Sequence, residues 1–299
     1  MSDATIHQNP LAYLLGLEGA ALMRAFAGEH DAEFTQARIA EVRALLDRAD
    51  ELGDGVDLEP MSCPEGYDVW APHYDGPGNT FFAMDESVIL PILDTLPPGD
   101  AIDAMCGTGR YAVHLAERGH RVRGFDTSPG MLHLARAKLP DAEFGLADVA
   151  LLPVDDASAD VVVNALAINH VEDLGPAFAE AARVLRPGGH LLLCSMVGYF
   201  AGSRLSPFLE RDSSGRIGYI REWNHSTGDF LRAGLDAGFG VLACRELVGD
   251  VSPDENVGEV EATPGVPMSI WQLHPWVPGA AHAVRDDRVC LVVWHFRLP

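Results

Sequence analysis

The chain of 299 residues has no C-x-x-C pair; its five cysteines, at 63, 106, 194, 244 and 290, are odd in number and scattered. That pattern offers no zinc site and suits reduced thiols in a cytoplasm. No apolar run approaches membrane-spanning length. The start, Met1-Ser2-Asp3-Ala4, lacks the basic-then-apolar order of a secretory leader. A cytoplasmic protein that does not span a membrane is therefore expected. Basic residues are scarce: 21 Lys and Arg against 44 Asp and Glu give a formal net charge of −23. Such a surface repels polyanions and argues against nucleic acid as a partner. His274 and His282 have no acid–histidine spacing around them, so no metal is expected. Repeats and low-complexity segments are missing too. What is present is 47% hydrophobic residues, enough for a full core.

Periodicity predicts two N-terminal helices, Leu11–Ala27 and Asp31–Asp50, broken at Gly28. In the second, Phe34, Ala37, Val42, Leu45 and Leu46 favour one face. A Pro-, Gly- and aromatic-rich stretch, Pro60–Pro77, precedes a helix over Ala83–Leu96. From Asp100 strand and helix alternate, which signals a parallel sheet. Strands are expected near 101–105, 121–125, 142–146, 160–166 and 189–196, with helices near 109–118, 129–138 and 173–185, the last stopped by Pro187-Gly188-Gly189. Further on, Ser213-Ser214-Gly215 suits a hairpin turn. A helix capped at Ser226 or Thr227 runs to about Ala237, Phe239–Leu247 reads as a strand, and Arg288–Arg297 is the final strand. The expected division is a helical lid over 1–82 and a sheet domain over 83–299, with insertions near 198–225 and 249–286.

The most informative stretch is Ala101–Arg110, AIDAMCGTGR. A buried strand ends at Met105, Cys106-Gly107-Thr108-Gly109 makes a tight turn, and a helix begins at Arg110. Glycines in such a turn let a ligand lie against bare backbone, and the helix start directs free N–H groups at it. Asp126 ends the next apolar segment, 17 residues beyond Gly109, about where a βαβ unit places an acid on a ribose diol. A nucleotide-type ligand is implied. A dinucleotide site would need a third glycine, and His114 and Leu115 stand where it would be sought. Asp103, inside the strand end, would repel a pyrophosphate and suits a cationic sulfonium with an amino group.

Residues from about Asp100 to Met196 resemble a class I S-adenosylmethionine-dependent methyltransferase of the small-molecule type. Its motifs recur in order as DAMCGTGR (103–110), GFDTSPGML (124–132), LADVALLPV (146–154), DVVVNALAINHVED (160–173) and RVLRPGGHLLL (183–193). The resemblance implies an α/β fold: an open, mostly parallel, Rossmann-like seven-stranded sheet with helices on both faces, the last strand antiparallel and beside the sixth. It implies S-adenosyl-L-methionine as methyl donor and S-adenosyl-L-homocysteine as product.

By the same resemblance, Asp103 balances the methionine amino group, Cys106, Gly107 and Gly109 line the turn, and Arg110 either reaches the donor carboxylate or merely starts the helix. Met105 stands where the family's commonest pattern has glycine, and its side chain is expected to point into the core. Asp126 accepts both ribose hydroxyls, Thr127 and Met131 follow it, and Ala147, Asp148 and Val149 flank the adenine. Asn164 and Ala165 pass the methionine moiety. His170 sits over the reaction centre, as general base or as a structural loop histidine. Tyr67 and Tyr74, in YDVWAPHYD, lid the donor or simply pack; Tyr67 is also a substrate contact. Trp223 and His225, in REWNHST, offer a stacking surface and a second base, or helix-capping chemistry. The expected reaction is in-line methyl transfer to an O, N or C nucleophile of a small, partly apolar molecule. Two alternatives remain: a non-catalytic, donor-binding subunit pairing through the N-terminal helices (the surface also expected for a homodimer), and an NAD-type oxidoreductase.

Overall fold

The computed structural model describes residues 4–76, 81–197, 205–207, 211–212, 214–249, 259, 261–263, 265–285 and 288–299. The chain divides into two units. The larger holds residues 61–206, 220–249 and 289–299; the smaller holds 1–60, 207–219 and 250–288. The segment 61–82 thus groups with the sheet, and the insertion near 249–286 groups with the N-terminal helices.

In the smaller unit, strand β1 (Ile6–Gln8) leads into helices α1 (Pro10–Phe26) and α2 (Ala32–Asp47). Asn9 caps α1 by accepting from the Ala12 N–H, and Asp31 caps α2 by accepting from Phe34 N–H. Strand β2 (Val56–Pro60) returns antiparallel to β1, with His7 opposite Asp57. The apolar core joins Leu14, Leu17, Ala21 and Leu45 to Trp276, Val277 and Ala280. On α2 the buried positions are Arg38 and Leu45, while Leu46 is 54% exposed. Adjacent helical residues point about 100° apart, so Leu45 and Leu46 cannot share one narrow buried face. Arg38 lies within 3.5 Å of Glu18 and 2.6 Å of Glu41, and burial pushes the Glu18 carboxyl up to about 8.

The larger unit begins with α3 (Cys63–Trp70), set by a capping box between Ser62 and Glu65, and with α4 (Phe81–Leu93). The sheet strands follow: β3 (Asp100–Ala104), β4 (Arg121–Asp126), β5 (Glu143–Leu146), β6 (Ala159–Ala165) and β7 (Leu185–Met196). Helices α5 (Arg110–Glu117), α6 (Pro129–Lys138) and α7 (Leu174–Val184) connect them. After β8 (Leu205–Pro207) and β9 (Gly218–Arg221), helix α8 (Thr227–Asp236) leads to β10 (Gly240–Val248). Helices α9 (Ile270–Leu273) and α10 (Pro278–Arg285) belong to the smaller unit, and β11 (Val289–Arg297) closes the sheet. Sheet order is β10-β11-β7-β6-β3-β4-β5. β11 runs antiparallel to both its neighbours, and the other strand pairs of this sheet are parallel. This is the mixed α/β, seven-stranded, Rossmann-like arrangement expected, with the last strand beside the sixth.

One boundary differs. Helix α7 stops at Val184, and β7 starts at Leu185, before Pro187-Gly188-Gly189 rather than after it. The pairing jumps from Ala159↔Leu185 to Val161↔His190, so these residues form a bulge, with Gly188 at φ +86°. Of the expected hairpin turn, Ser213 lies outside the described residues; Asp212 and Arg216 close it. The insertion near 198–225 is likewise described only in part.

The core of the larger unit packs Phe178, Phe230 and Phe296 between sheet and helices. Gly234 on α8 leaves room for Phe296: a β-carbon there would stand 2.6 Å from Phe296 Cε1. The Gly234→Ala variant is therefore expected to lose about 1–3 kcal/mol of stability, read as a lowered urea midpoint with unchanged slope.

Candidate active site

Open α/β sheets bind ligands outside the carboxyl ends of their strands, and a cleft lies there. It is lined from β3 and its turn by Asp103, Met105, Cys106 and Gly107, from α5 by Arg110 and Tyr111, and from β4 onward by Asp126, Thr127, Ser128 and Met131. Ala165, Leu166, Ala167 and His170 enter from the end of β6, and Cys63, Tyr67 and Tyr74 from α3 and the residues after it.

Backbone geometry marks the same place. Met105 and Leu166, neither a glycine, both adopt φ 59°, in the left-handed region. Each such residue costs about 1–3 kcal/mol and persists where its surroundings impose it. The strain explains why glycine suits position 105. It also corrects an expectation: Met105 lines the cleft instead of turning into the core.

The two glycines of the turn differ in purpose. Gly107, at φ +53°, faces open space, with Tyr74 Cε1 at 4.0 Å from where a β-carbon would stand. Its backbone is bare toward the cleft. Gly109, at φ +79°, faces Ala135 of α6, whose Cβ would be 3.0 Å from an added methyl. It is absent from the cleft lining and serves the close packing of α5 on α6.

Asp126 is held by backbone: Oδ2 accepts from Gly107 N–H at 2.8 Å and Oδ1 from Ser128 N–H at 2.9 Å. Burial raises its pKa, and those N–H groups pull the other way. A carboxylate has about four acceptor positions, so both oxygens retain capacity for ligand hydroxyls. Asp103 is 3% exposed and caps the start of α5, Oδ2 accepting from Ala112 N–H at 2.8 Å. Burial pushes its carboxyl up to about 8.

Arg110 lines the cleft, but its guanidinium is spoken for. Nη1 and Nη2 donate to the two oxygens of Asp85, at 2.8 and 2.7 Å, and Nη1 also reaches Glu86 at 2.8 Å. Phe82 and Tyr111 flank it at 4.2 and 4.5 Å. Of the two sequence readings, helix start or donor carboxylate, these contacts describe a brace between α5 and α4.

Several expected residues lie elsewhere. Asn164 is buried, its amide donating to the Ala104 carbonyl at 3.0 Å, so it ties β6 to β3 inside the sheet; Ala165 lines the cleft beside it. Asp148 is exposed and accepts from Ala150 N–H in a local turn, while Ala147 and Val149 pack on the sheet core. None of the three is among the lining residues. His225 Nε2 donates to the Val171 carbonyl at 2.7 Å, and the Trp223 N–H donates to the Asn169 carbonyl at 2.7 Å. Both lace the 221–225 segment onto the turn after β6, outside the lining. His170 does line the cleft: Nε2 accepts from the Tyr67 hydroxyl at 2.7 Å, Nδ1 faces the Arg221 carbonyl at 3.4 Å, and burial lowers its pKa to about 4. Cys63, Tyr111, Leu166 and Ala167 were not singled out from the sequence. Cys63 and Tyr111 each sit near a residue that was, but no local pattern separates them from packing residues.

Comparison with known proteins bears on this geometry. Residues 102–193, which contain most of the cleft, match the family model described as a methyltransferase domain. This chain carries a methyltransferase domain. The malonyl-[acyl-carrier protein] O-methyltransferase of Serratia marcescens is 39% identical over 100 residues, which span 33% of this chain and 39% of that protein. A demethylmenaquinone methyltransferase of Beutenbergia cavernae is 28% identical over 218 residues, 66% of this chain and 90% of that protein. The fold is shared with the [4+2]-cyclase SpnF, at TM-score 0.51 and 20% identity, covering 79% of this chain and 95% of that one. Among the described residues no helix is long and apolar enough to cross a membrane.

A cationic ligand in the methyltransferase cleft favours the ionised form of Asp103. With a carboxyl near pKa 8, the empty site is mostly protonated at pH 7. A cationic ligand that binds there is therefore expected to release a proton at pH 7, and none above about pH 9. Calorimetry in two buffers of different ionisation enthalpy measures this.

Proposed function

We propose that the chain is an S-adenosylmethionine-dependent methyltransferase acting on a small, partly apolar molecule. One observation carries the reading: the bare Gly107 backbone lies between two carboxylates withdrawn from water, Asp103 and Asp126, in one cleft. A dinucleotide's pyrophosphate beside Gly107 would oppose ionisation of the buried Asp103. An adenosyl sulfonium with an ammonium group meets attraction.

The residues present fit that group. Asp126 has acceptor capacity for two ribose hydroxyls, Gly107 permits close approach, Met131 offers an apolar surface for the base, and Asp103 faces the positive end. When bound, the group supplies a methyl carbon on a sulfonium, which leaves as a neutral thioether. The chain's own task is to hold a nucleophile in line, about 3 Å from that carbon, and to keep water out. Cys63, Tyr67, Leu166, Ala167 and His170 supply a largely apolar wall for an acceptor. His170 held neutral by burial is a weak base, so the reading does not depend on general-base catalysis.

The acceptor's nucleophile, whether O, N or C, is left open by this wall. The relatives' names, malonyl-[acyl-carrier protein] and demethylmenaquinone, differ widely as acceptors, and the shared fold of a cyclase shows that architecture alone does not assign a reaction.

Calorimetric titration with S-adenosylmethionine, S-adenosylhomocysteine and NAD tests the reading. The first two are expected to bind and NAD is not; binding of NAD alone would overturn it. The Asp126→Ala variant is expected to bind S-adenosylmethionine more than tenfold more weakly, about 1.4 kcal/mol or more, with its circular dichroism unchanged.

A further inference from the structure

Helix α3 is fastened to both margins of the cleft. On one side Asp68 Oδ1 accepts from Ser128 Oγ at 2.5 Å and from Gly130 N–H at 2.7 Å, at the start of α6. On the other side the Tyr67 hydroxyl meets His170 Nε2 at 2.7 Å, with the two rings edge to face and their centroids 5.3 Å apart. Tyr67 and Cys63 of α3 line the cleft between these fastenings.

The tautomer of His170 follows from its partners. The Arg221 carbonyl can only accept, so Nδ1, which faces it, carries the proton. Nε2 then has a free lone pair and accepts from Tyr67. Burial disfavours the imidazolium, which would have no lone pair for the tyrosine. One imidazole thus joins three segments: α3 through Tyr67, the turn after β6 on which it stands, and the end of β9 through Arg221. The last two are laced further by Trp223 N–H to the Asn169 carbonyl and His225 Nε2 to the Val171 carbonyl. Both ring nitrogens of His170 are engaged before any substrate arrives.

We infer that His170 is a positioning residue: by accepting from Tyr67 and donating to the Arg221 carbonyl, it holds α3 across the cleft in the position that encloses the methyl donor. The inference rests on the donor assignment above. Both side chains border the cleft, and His170 acts on α3 through Tyr67. The histidine that a sequence marks as a base is here a junction between chain segments, and its two hydrogen bonds matter more than its basicity.

Three variants of the full chain test this, with S-adenosylhomocysteine as the calorimetric probe and amide hydrogen exchange of residues 66–70 as a readout that needs no ligand. His170→Leu removes both bonds; Tyr67→Phe removes one hydroxyl from the opposite side, with little risk to folding. His170→Gln keeps a carbonyl acceptor and an N–H donor but cannot serve as a base. His170→Leu and Tyr67→Phe are each expected to speed exchange in α3 at least tenfold and to weaken probe binding at least tenfold. His170→Gln is expected to stay within threefold of the unsubstituted chain on both. Unchanged exchange and affinity in His170→Leu would overturn the inference, as would a His170→Gln variant as impaired as His170→Leu. If the unsubstituted chain fails to bind the probe, the donor assignment falls; the exchange rates still decide whether His170 holds α3.

Discussion

A carboxylate placed where water is sparse must find hydrogen-bond donors, and the shape of the cleft follows from where Asp126 finds them. It stands at the end of β4 and draws in the N–H of Gly107, from the turn after β3, and that of Ser128, the cap of α6. Two neighbouring crossover connections are thereby referred to one side chain. The turn can curl toward Asp126 because Gly107 takes a positive φ, and α6 can lie close beneath it because Gly109 has no side chain to meet Ala135. Ser128 in turn donates to Asp68 of α3. Strand end, turn, helix start and covering helix form one hydrogen-bonded chain around the cleft.

The sheet was largely legible in the residues. Short apolar stretches mark the five strands after Asp100, with helices between all but β5 and β6, the last helix standing before β7. The cleft's floor was legible from the spacing of Asp103, Gly107 and Asp126, which matches that of a nucleotide-type site. What escaped depended on direction or distance. Asn164 and Ala165 are neighbours in sequence but project to opposite faces of β6, and the face that meets the cleft is decided by the sheet. Pro187-Gly188-Gly189 reads as a helix stop and is in fact a bulge inside β7, since the signals for leaving a helix and for bending a strand use the same residues. His225 and Trp223 carry the chemistry expected of a pocket, yet their partners are backbone groups of the turn after β6, 54 positions away in each case.

The division into two units shows a further limit. Composition suggests a lid that ends before α4, whereas α3 and the aromatic stretch after it group with the sheet, and the later insertion groups with α1 and α2. Apolar patterning announces that a helix will be covered on one side. It does not say which distant segment supplies the cover, as Trp276 and Ala280 do for Leu14 and Leu45.

Arg110 and Asp85 deserve a last consequence. Their pair is bidentate, and the Asp85 carboxylate is fully enclosed. Removing one partner of such a pair strands the other charge in a poor solvent, at a cost of about 3–5 kcal/mol. Over evolutionary time neither position can drift alone, so a homologue that lost the arginine should have surrendered the aspartate with it. Covariation between two helices, one of them bordering the cleft, would then record a shared burial, and should not be mistaken for a signal about substrate preference.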